Sequence, residues 1–164
     1  MIIFIDLDRT VFNAHRFLND LVRGALNEEP FSLSQFPQYV YHDAVPFLQK
    51  RKELGDTIVL VTRGDPEVQK TKAHYSGVLD FFSEALYVSS GPKASPIGEY
   101  LEVHPVGDNK VYFVDDTVFE LQDVKETHPF IEVIRMRRDD AKNHHIESPH
   151  IISVRNFTEF DALL

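Results

Sequence analysis

The chain has 164 residues, of which 43% are hydrophobic and 12% aromatic, and its formal net charge is −9 at pH 7. This length and composition predict one globular domain with a sizeable core and argue against a disordered chain. The negative charge argues against unaided, non-specific nucleic-acid binding, which depends on Lys and Arg, although a bound metal ion could still bring an acidic substrate to the chain.

The first predicted element is a buried strand over residues 1–5, all of them apolar. It runs directly into Asp6-Leu7-Asp8-Arg9-Thr10. Ligands bind outside the carboxyl ends of the strands in open α/β sheets, and both aspartates fall there. Two carboxylates so close repel each other, and a hard divalent cation is the natural compensation. The alternative is a turn or a helix cap, for which one aspartate would serve.

Residues 11–42 separate this strand from its expected crossover helix, and we call them the 11–42 segment. The sequence predicts an amphipathic helix over residues 14–26, followed by an irregular stretch over 27–37. Long connections of this kind are often functional. Two interpretations stay open here: a flap that covers the core, or a cap that reads the substrate. The aromatic residues Phe12, Phe17, Phe31 and Phe36 are expected to pack within the segment rather than stack on a substrate.

The rest of the chain alternates predicted strands with predicted helices. The strands cover residues 58–61, 85–88, 111–114 and 130–134, with a possible edge strand at 151–154. The helices cover residues 44–54, 65–74, 92–103 and 118–125, and Thr158 is expected to cap a last short helix. This alternation indicates a parallel sheet with helices on both faces.

Further polar residues follow other strands at the same predicted edge. Thr62 and Arg63 end the second strand, Asp115 and Asp116 end the fourth, and Lys93 stands at the start of a helix. A lysine and a helix N-terminus both favour an anion. Each residue has an ordinary alternative, because Thr62 could cap a helix, Lys93 could be solvated and the aspartates could form a turn. Their placement on one edge of one sheet favours a shared site.

The order of these residues resembles the haloacid dehalogenase (HAD) superfamily of phosphohydrolases. The motif Asp6-x-Asp8-x-Thr10 comes first, then Thr62, then Lys93, then Asp115-Asp116, so the match extends from residue 1 to about residue 120. The resemblance implies an α/β, Rossmann-like three-layer sandwich with a parallel sheet. It also implies one HAD-like domain over residues 1–164, with a minimal or absent cap, because the 11–42 segment is too short for the large helical cap of many members.

The resemblance also implies a role for each catalytic residue. Asp6 would be the nucleophile that forms an aspartyl-phosphate, and Asp8 would be the general acid and base. The second carboxylate separates the family's phosphatases from its dehalogenases, which lack it. Thr62 and Lys93 would bind the transferring phosphoryl group, and Arg63 is a further candidate for substrate binding.

The implied cofactor is Mg²⁺. It would be held by the carboxylate of Asp6, the backbone carbonyl of Asp8 and the carboxylate of Asp115, with Asp116 bound directly or through one water. Phosphoryl transfer depends mainly on positioning and charge neutralisation, and this set of residues provides both.

Several basic residues and histidines have uncertain roles in this pattern. Arg9 stands where the family often has a small residue, and we expect it to point to solvent rather than to a substrate phosphate. The cluster Arg135, Arg137 and Arg138 is expected to form a solvated face rather than a phosphate-binding patch. The histidines His144, His145 and His150 lack a supporting carboxylate pattern, so a metal site is not expected there.

The sequence therefore predicts a Mg²⁺-dependent phosphomonoester hydrolase, acting on a phosphorylated and possibly bulky substrate. One alternative is a phospho-acceptor similar to a response-regulator receiver, but that fold needs an aspartate after its third strand, and none follows residues 86–88 here. The other alternative is a HAD-like binding domain without turnover. The oligomeric state is not predicted.

The cellular location is predicted mainly from what the sequence lacks. The chain has no cysteine, which excludes disulfides and thiolate chemistry. No apolar stretch approaches the length of roughly 18 residues that a membrane-spanning helix needs. The first residues lack the basic region of a signal peptide, so the cytoplasm is the expected location.

Overall fold

The computed structural model describes residues 1–27, 31–138 and 150–164. Its strands are β1 Ile2–Ile5, β2 Thr57–Arg63, β3 Glu84–Val88, β4 Val111–Asp115, β5 Glu132–Met136 and β6 Ile152–Val154. Its α-helices are α1 Ala14–Leu26, α2 Ala44–Glu53, α3 Pro66–Tyr75, α4 Ala94–Val103, α5 Val118–Thr127 and α6 Phe157–Asp161. Two 3₁₀ helices cover Leu33–Tyr39 and Leu79–Phe81.

The six strands form one parallel sheet in the order β3-β2-β1-β4-β5-β6. β1 lies in the middle, with Ile5 opposite Leu60 of β2 on one side and opposite Val114 of β4 on the other. The chain builds outward from β1 in one direction through β2 and β3, and in the other through β4 to β6. The strand order therefore reverses beside β1, which is where ligands bind in such sheets. The predicted fold class is confirmed.

Alternating residues of β1 belong to two separate cores. Ile3 and Ile5 pack with buried residues of α2, α3 and α6, whereas Ile2 and Phe4 pack with those of α4 and α5. A strand that is apolar at every position is buried on both faces. The result is three layers, with helices on both faces of the sheet, as the alternation of elements predicts.

The 11–42 segment contains more regular structure than the sequence analysis expects. The amphipathic helix α1 has the predicted bounds, and the Asn13 side chain accepts a hydrogen bond from the Arg16 N–H at 2.8 Å at its start. The stretch predicted as irregular instead contains the 3₁₀ helix Leu33–Tyr39. A capping box explains it, because Ser32 and Gln35 satisfy each other's backbone N–H groups there.

Aromatic side chains form the interior of this segment. Their ring centroids lie 5.3–6.4 Å apart, which is the usual range for favourable aromatic pairs. The members of the cluster are Phe12, Phe17, Phe31, Phe36 and Tyr39. The expectation that these phenylalanines pack within the segment is confirmed.

Two predicted element boundaries are wrong near the end of the chain. β5 begins at Glu132 rather than at residue 130, because Ile131 donates to the His128 carbonyl at 2.9 Å in a preceding turn. The cap of α6 is Asn156, whose side chain accepts from the Glu159 N–H at 2.8 Å, and Thr158 is inside the helix. Among the described residues, no helix has the length and apolar character needed to cross a membrane.

The predicted solvated basic face is wrong for two of its three arginines. Arg135 lies inside β5 and is buried, and Arg138 is also buried. The Arg138 guanidinium donates to both carboxylate oxygens of Asp43, at 2.9 and 2.8 Å, and to the Thr10 carbonyl at 2.7 Å. The histidine prediction rests on His144 and His145, which lie outside the described residues.

Candidate active site

Asp6 and Asp115 come at the ends of neighbouring strands, so the fold brings their carboxylates together. Asp6 directly follows β1 and its N–H donates to the Val114 carbonyl at 2.9 Å, while Asp115 is the last residue of β4. Both residues are buried. Carboxylate oxygens of Asp6, Asp115 and Asp116 lie within 4.8 Å of one another. These three aspartates therefore form a compact group of oxygen donors at the carboxyl edge of the sheet.

The Lys93 ammonium lies between two of these carboxylates. Its Nζ is 2.5 Å from Oδ1 of Asp6 and 2.7 Å from Oδ2 of Asp115, and the residue is buried. Burial lowers the pKa of this amine, but the carboxylates of Asp115 and Asp6 outweigh burial and raise the pKa above its usual value. The lysine is therefore charged at neutral pH, and the alternative of a solvated Lys93 is wrong.

The three aspartates carry more negative charge than Lys93 offsets. Burial raises the pKa of Asp6 well above its usual value, with Asp115 and Asp116 adding to the effect and Lys93 opposing it. Burial and Asp115 likewise raise the pKa of Asp116 to about 6, against the opposing charge of Arg9. A group of hard oxygen donors with excess negative charge fits a divalent cation such as Mg²⁺. Asp6, Asp115 and Asp116 could hold one.

Arg9 does not simply point to solvent, contrary to expectation. Its Nε lies 3.1 Å from Oδ2 of Asp116, and 36% of its side chain is exposed. The backbone of Arg9 is in the left-handed region, with a φ of 63°. The loop after β1 turns sharply here, since the N–H groups of Val11 and Phe12 both donate to the Leu7 carbonyl. That turn brings the guanidinium back to Asp116.

Asp8 faces a different set of partners. Its Oδ2 accepts from Nζ of Lys72 at 2.6 Å and from Nε2 of Gln69 at 3.1 Å. Its Oδ1 is buried and has no hydrogen-bond partner among the described residues. The sequence analysis missed both Lys72 and Gln69. The available indication was their spacing of three residues on the helix after Thr62, which places them on one helix face.

Thr62 lies within β2 and does not cap the following helix. The cap of α3 is Asp65, whose carboxylate accepts from the N–H groups of Glu67 and Val68 at 2.9 and 3.2 Å. Thr62 is 1% exposed, and its Oγ1 has no hydrogen-bond partner in the described part of the chain. A buried hydroxyl usually has a partner, so this one is available to a ligand at the edge.

Arg63, which the sequence predicts to bind substrate, forms an ion pair with Glu120 in the structure. Its Nη1 lies 2.8 Å from Oε1 of Glu120, which is buried at the start of α5. The other carboxylate oxygen of Glu120 accepts the backbone N–H of Lys93 at 3.0 Å. Glu120 therefore holds the start of the helix that carries Lys93. Nothing in the sequence distinguishes this glutamate from a solvated one in a first helical turn.

Comparisons with solved structures identify the same fold. The chain is similar to a haloacid dehalogenase-like hydrolase from Burkholderia xenovorans, with 19% identity, a TM-score of 0.74 and coverage of 99% of this chain and 98% of that one. It is also similar to a predicted phosphoglycolate phosphatase from Haemophilus somnus, with 15% identity, a TM-score of 0.73 and coverage of 99% and 96%. A HAD hydrolase from Bacillus subtilis, solved with bound magnesium, has 12% identity, a TM-score of 0.73 and coverage of 99% and 97%.

No family model matches the chain, and no curated protein matches it. The likeness to these solved structures extends over nearly the whole chain. The chain therefore has the fold of the HAD-superfamily hydrolases, and the resemblance predicted from Asp6, Asp8, Thr62, Lys93, Asp115 and Asp116 is confirmed at the level of the fold.

Proposed function

We propose that the chain is a Mg²⁺-dependent phosphomonoester hydrolase that acts through an aspartyl-phosphate on Asp6. The observation that carries the proposal is the pair Asp6 and Asp8. Asp6 is buried against Lys93 and Asp115, while Asp8 has one carboxylate oxygen without a partner among the described residues. Solved dehalogenases share the fold, but the family's dehalogenases lack the second carboxylate, so Asp8 favours phosphate ester hydrolysis.

The first chemical step forms the intermediate. A carboxylate oxygen of Asp6 attacks phosphorus, and the bond from phosphorus to the leaving oxygen breaks. Asp8 gives its proton to that leaving oxygen as it departs as an alcohol. The hydroxyl of Thr62 donates to a phosphoryl oxygen, and the Lys93 ammonium offsets charge on the nucleophile and on the phosphoryl group.

The second step releases phosphate and restores the site. Water attacks phosphorus, Asp8 takes its proton, and the bond between phosphorus and the Asp6 oxygen breaks. Mg²⁺, held by Asp6, Asp115, Asp116 and the Asp8 carbonyl, would supply neutralisation of the phosphate charge. The three aspartates outnumber Lys93 and Arg9, the cations that pair with them, and this excess negative charge would otherwise repel a phosphate. A cytoplasmic location accompanies this proposal as a prediction.

Turnover tests the proposal. With Mg²⁺, the purified chain should hydrolyse 4-nitrophenyl phosphate, and excess EDTA should reduce the rate to background. Asp6→Asn should also reduce turnover to background, because an amide cannot form the acyl phosphate. In rapid-quench experiments with labelled substrate, it should leave no phosphoenzyme. Asp108→Asn is the matched control, because Asp108 is exposed in the turn before β4, away from the carboxyl edge.

Three results would contradict parts of the proposal. Full activity in EDTA would exclude the metal assignment. Wild-type levels of phosphoenzyme in Asp6→Asn would move the nucleophile elsewhere. A lack of turnover across a panel of nucleotides, sugar phosphates, phosphopeptides and nucleic-acid ends would favour the binding-domain alternative.

A further inference from the structure

The carboxylate of Asp8 is held by two buried side chains that the mechanism above does not use. Lys72 is 7% exposed and Gln69 is 5% exposed, and both bind the same oxygen, Oδ2. The other oxygen, Oδ1, makes no hydrogen bond within the described residues. We infer that Lys72 and Gln69 are positioning residues that orient Asp8, so that Oδ1 alone exchanges the proton with the leaving group and water. This inference rests on the proposed function.

Geometry makes the two oxygens of Asp8 unequal. Lys72 and Gln69 supply only donors to Oδ2, at 2.6 and 3.1 Å, so the lone pairs of that oxygen are engaged. A proton carried by Asp8 then resides on Oδ1. General acid catalysis requires the proton to lie within hydrogen-bond reach of the leaving oxygen. A carboxylate free to rotate would present either oxygen and lose that alignment.

The chain is built locally to deliver these two donors. β2 ends at Arg63, Gly64 makes the turn, and α3 begins at Pro66 with Asp65 as its cap. Gln69 also donates to the Arg63 carbonyl at 3.3 Å, so its side chain is anchored to the same turn. A Cβ at position 64 would lie 2.8 Å from Nε2 of Gln69, and the φ of Gly64 is 144°. Only glycine therefore lets Gln69 reach the turn and Asp8 together.

A buried ammonium needs a partner, so Lys72 requires a further test of its role. Its Nζ pairs with Asp8 and lies 6.0 Å from the ring centroid of Phe12. The ion pair between Lys72 and Asp8 could have a purely structural role, in which each buried charge neutralises the other. If Lys72 positions Asp8, its loss should affect only reactions in which the leaving group needs a proton. A purely structural role does not make this prediction.

The experiment compares two substrates whose leaving groups differ in their need for a proton. Both are measured with the same preparation of each variant. An alkyl phosphate has a poor leaving group that needs the acid, whereas 4-nitrophenyl phosphate has a good one. Lys72→Met should lower kcat/KM for the alkyl phosphate by about 10- to 100-fold, and for 4-nitrophenyl phosphate by only a few-fold. The ratio of the two kcat/KM values does not depend on how much of the preparation is folded. Gln69→Leu should shift this ratio in the same direction by a smaller factor.

Two further variants and one structural measurement complete the design. Lys72→Arg keeps the positive charge and the hydrogen-bond donors. Its ratio of the two kcat/KM values should therefore lie close to that of the wild type. Lys70→Met is the matched control, because Lys70 is exposed on the same helix, and its contacts with Glu67 and with the Tyr87 ring do not involve Asp8. A crystal structure of Lys72→Met should show the Asp8 carboxylate turned from its wild-type orientation.

The results separate the inference from the proposed function. Equal losses on both substrates, or a rise in KM on both at constant kcat, would overturn the positioning role. If Lys72→Met does not fold, an unchanged ratio in Gln69→Leu would overturn it as well. A wild type that hydrolyses neither substrate would overturn the proposed function, and with it this inference.

Discussion

At the scale of single residues, the site contains a conflict of charge. Asp6, Asp115 and Asp116 are gathered within a few ångströms, and Lys93 pairs with only two of them. Arg9 offsets part of the charge of Asp116, from a partly exposed position. Such a group destabilises the metal-free fold, and a divalent cation would relieve the repulsion. The conflict is measurable because it changes the stability of the chain with pH.

The first prediction concerns Asp116. Burial and Asp115 raise the pKa of Asp116 from 3.8 to about 6. The folded state therefore binds this proton more tightly than the unfolded state does. The associated stability is complete below about pH 4 and is lost as the pH rises through about 6. A shift of roughly two units corresponds to about 3 kcal/mol. In EDTA at about pH 8, Asp116→Asn should unfold several degrees above the wild type.

The same experiment contains its own checks. At about pH 3 the difference in melting temperature should largely vanish, because Asp116 is then mostly protonated in both states. Mg²⁺ at about pH 8 should stabilise the wild type more than the variant, and its apparent affinity should fall below about pH 6 as protons compete. The exposed-site variant Asp108→Asn should behave as wild type. A less stable Asp116→Asn at both pH values would contradict the prediction.

At the scale of elements, one buried ion pair joins segments that are far apart in the sequence. Arg138 follows β5, and Asp43 precedes α2. The Asp43 carboxylate accepts from Arg138 and also from the Phe157 N–H at the start of α6, at 2.6 Å. Arg138 further donates to the Thr10 carbonyl in the loop after β1. The pair therefore connects the loop after β1 with one helical layer.

The second prediction follows from this connection. Arg138→Met should lower the free energy of unfolding by about 3–5 kcal/mol, because it leaves the Asp43 carboxylate buried without its cation. Urea denaturation measures the loss. Arg23→Met is the control, since Arg23 is exposed on α1, and it should change stability by less than about 0.5 kcal/mol. A similar small change in Arg138→Met would show that the pair is not structurally important.

The elements themselves were largely predictable because their apolar patterns are strong. Every predicted strand and helix exists, and α1 has the predicted bounds. Boundaries differ where a local hydrogen bond decides them. The Asn156 side chain does so for α6, the Ile131 N–H for β5 and the Ser32–Gln35 capping box for the 3₁₀ helix. Sequence pattern gives periodicity but does not show which of several nearby polar residues caps a helix.

The site was predictable only in part, for a related reason. Asp6, Thr62 and Asp115 lie at strand ends, and a parallel sheet brings strand ends together. Lys72, Gln69 and Glu120 lie on helices, where a polar residue facing the site resembles one facing solvent. Their function depends on long-range contacts to Asp8, Lys93 and Arg63. The sequence predicts a solvated Arg138 for the same reason, because its partner Asp43 is distant in the sequence.

At the scale of the whole molecule, the 11–42 segment packs against itself and against α3. Its aromatic residues are occupied with one another and, through Phe36, with Tyr75 of α3, at 6.2 Å between ring centroids. The carboxylate of Asp6 pairs with Lys93, which belongs to α4's N-terminus rather than to the segment. The Asp8 side chain, by contrast, is 26% exposed. Asp8 is therefore nearer the surface than Asp6, although its Oδ1 atom is itself buried.

The third prediction concerns substrate size. A full cap excludes water and selects small substrates, and lid closure often completes such sites. One 13-residue helix and one 7-residue 3₁₀ helix give the 11–42 segment a small reach. We therefore expect the chain to hydrolyse a phosphopeptide or a large phosphorylated metabolite with a kcat/KM within about tenfold of its best small phosphoester. Light scattering during size exclusion should accompany the measurement, because a second subunit could close the site. Strong preference for a very small phosphoester in a proven monomer would contradict the prediction, since a segment of this reach would then have to close over Asp6 by itself.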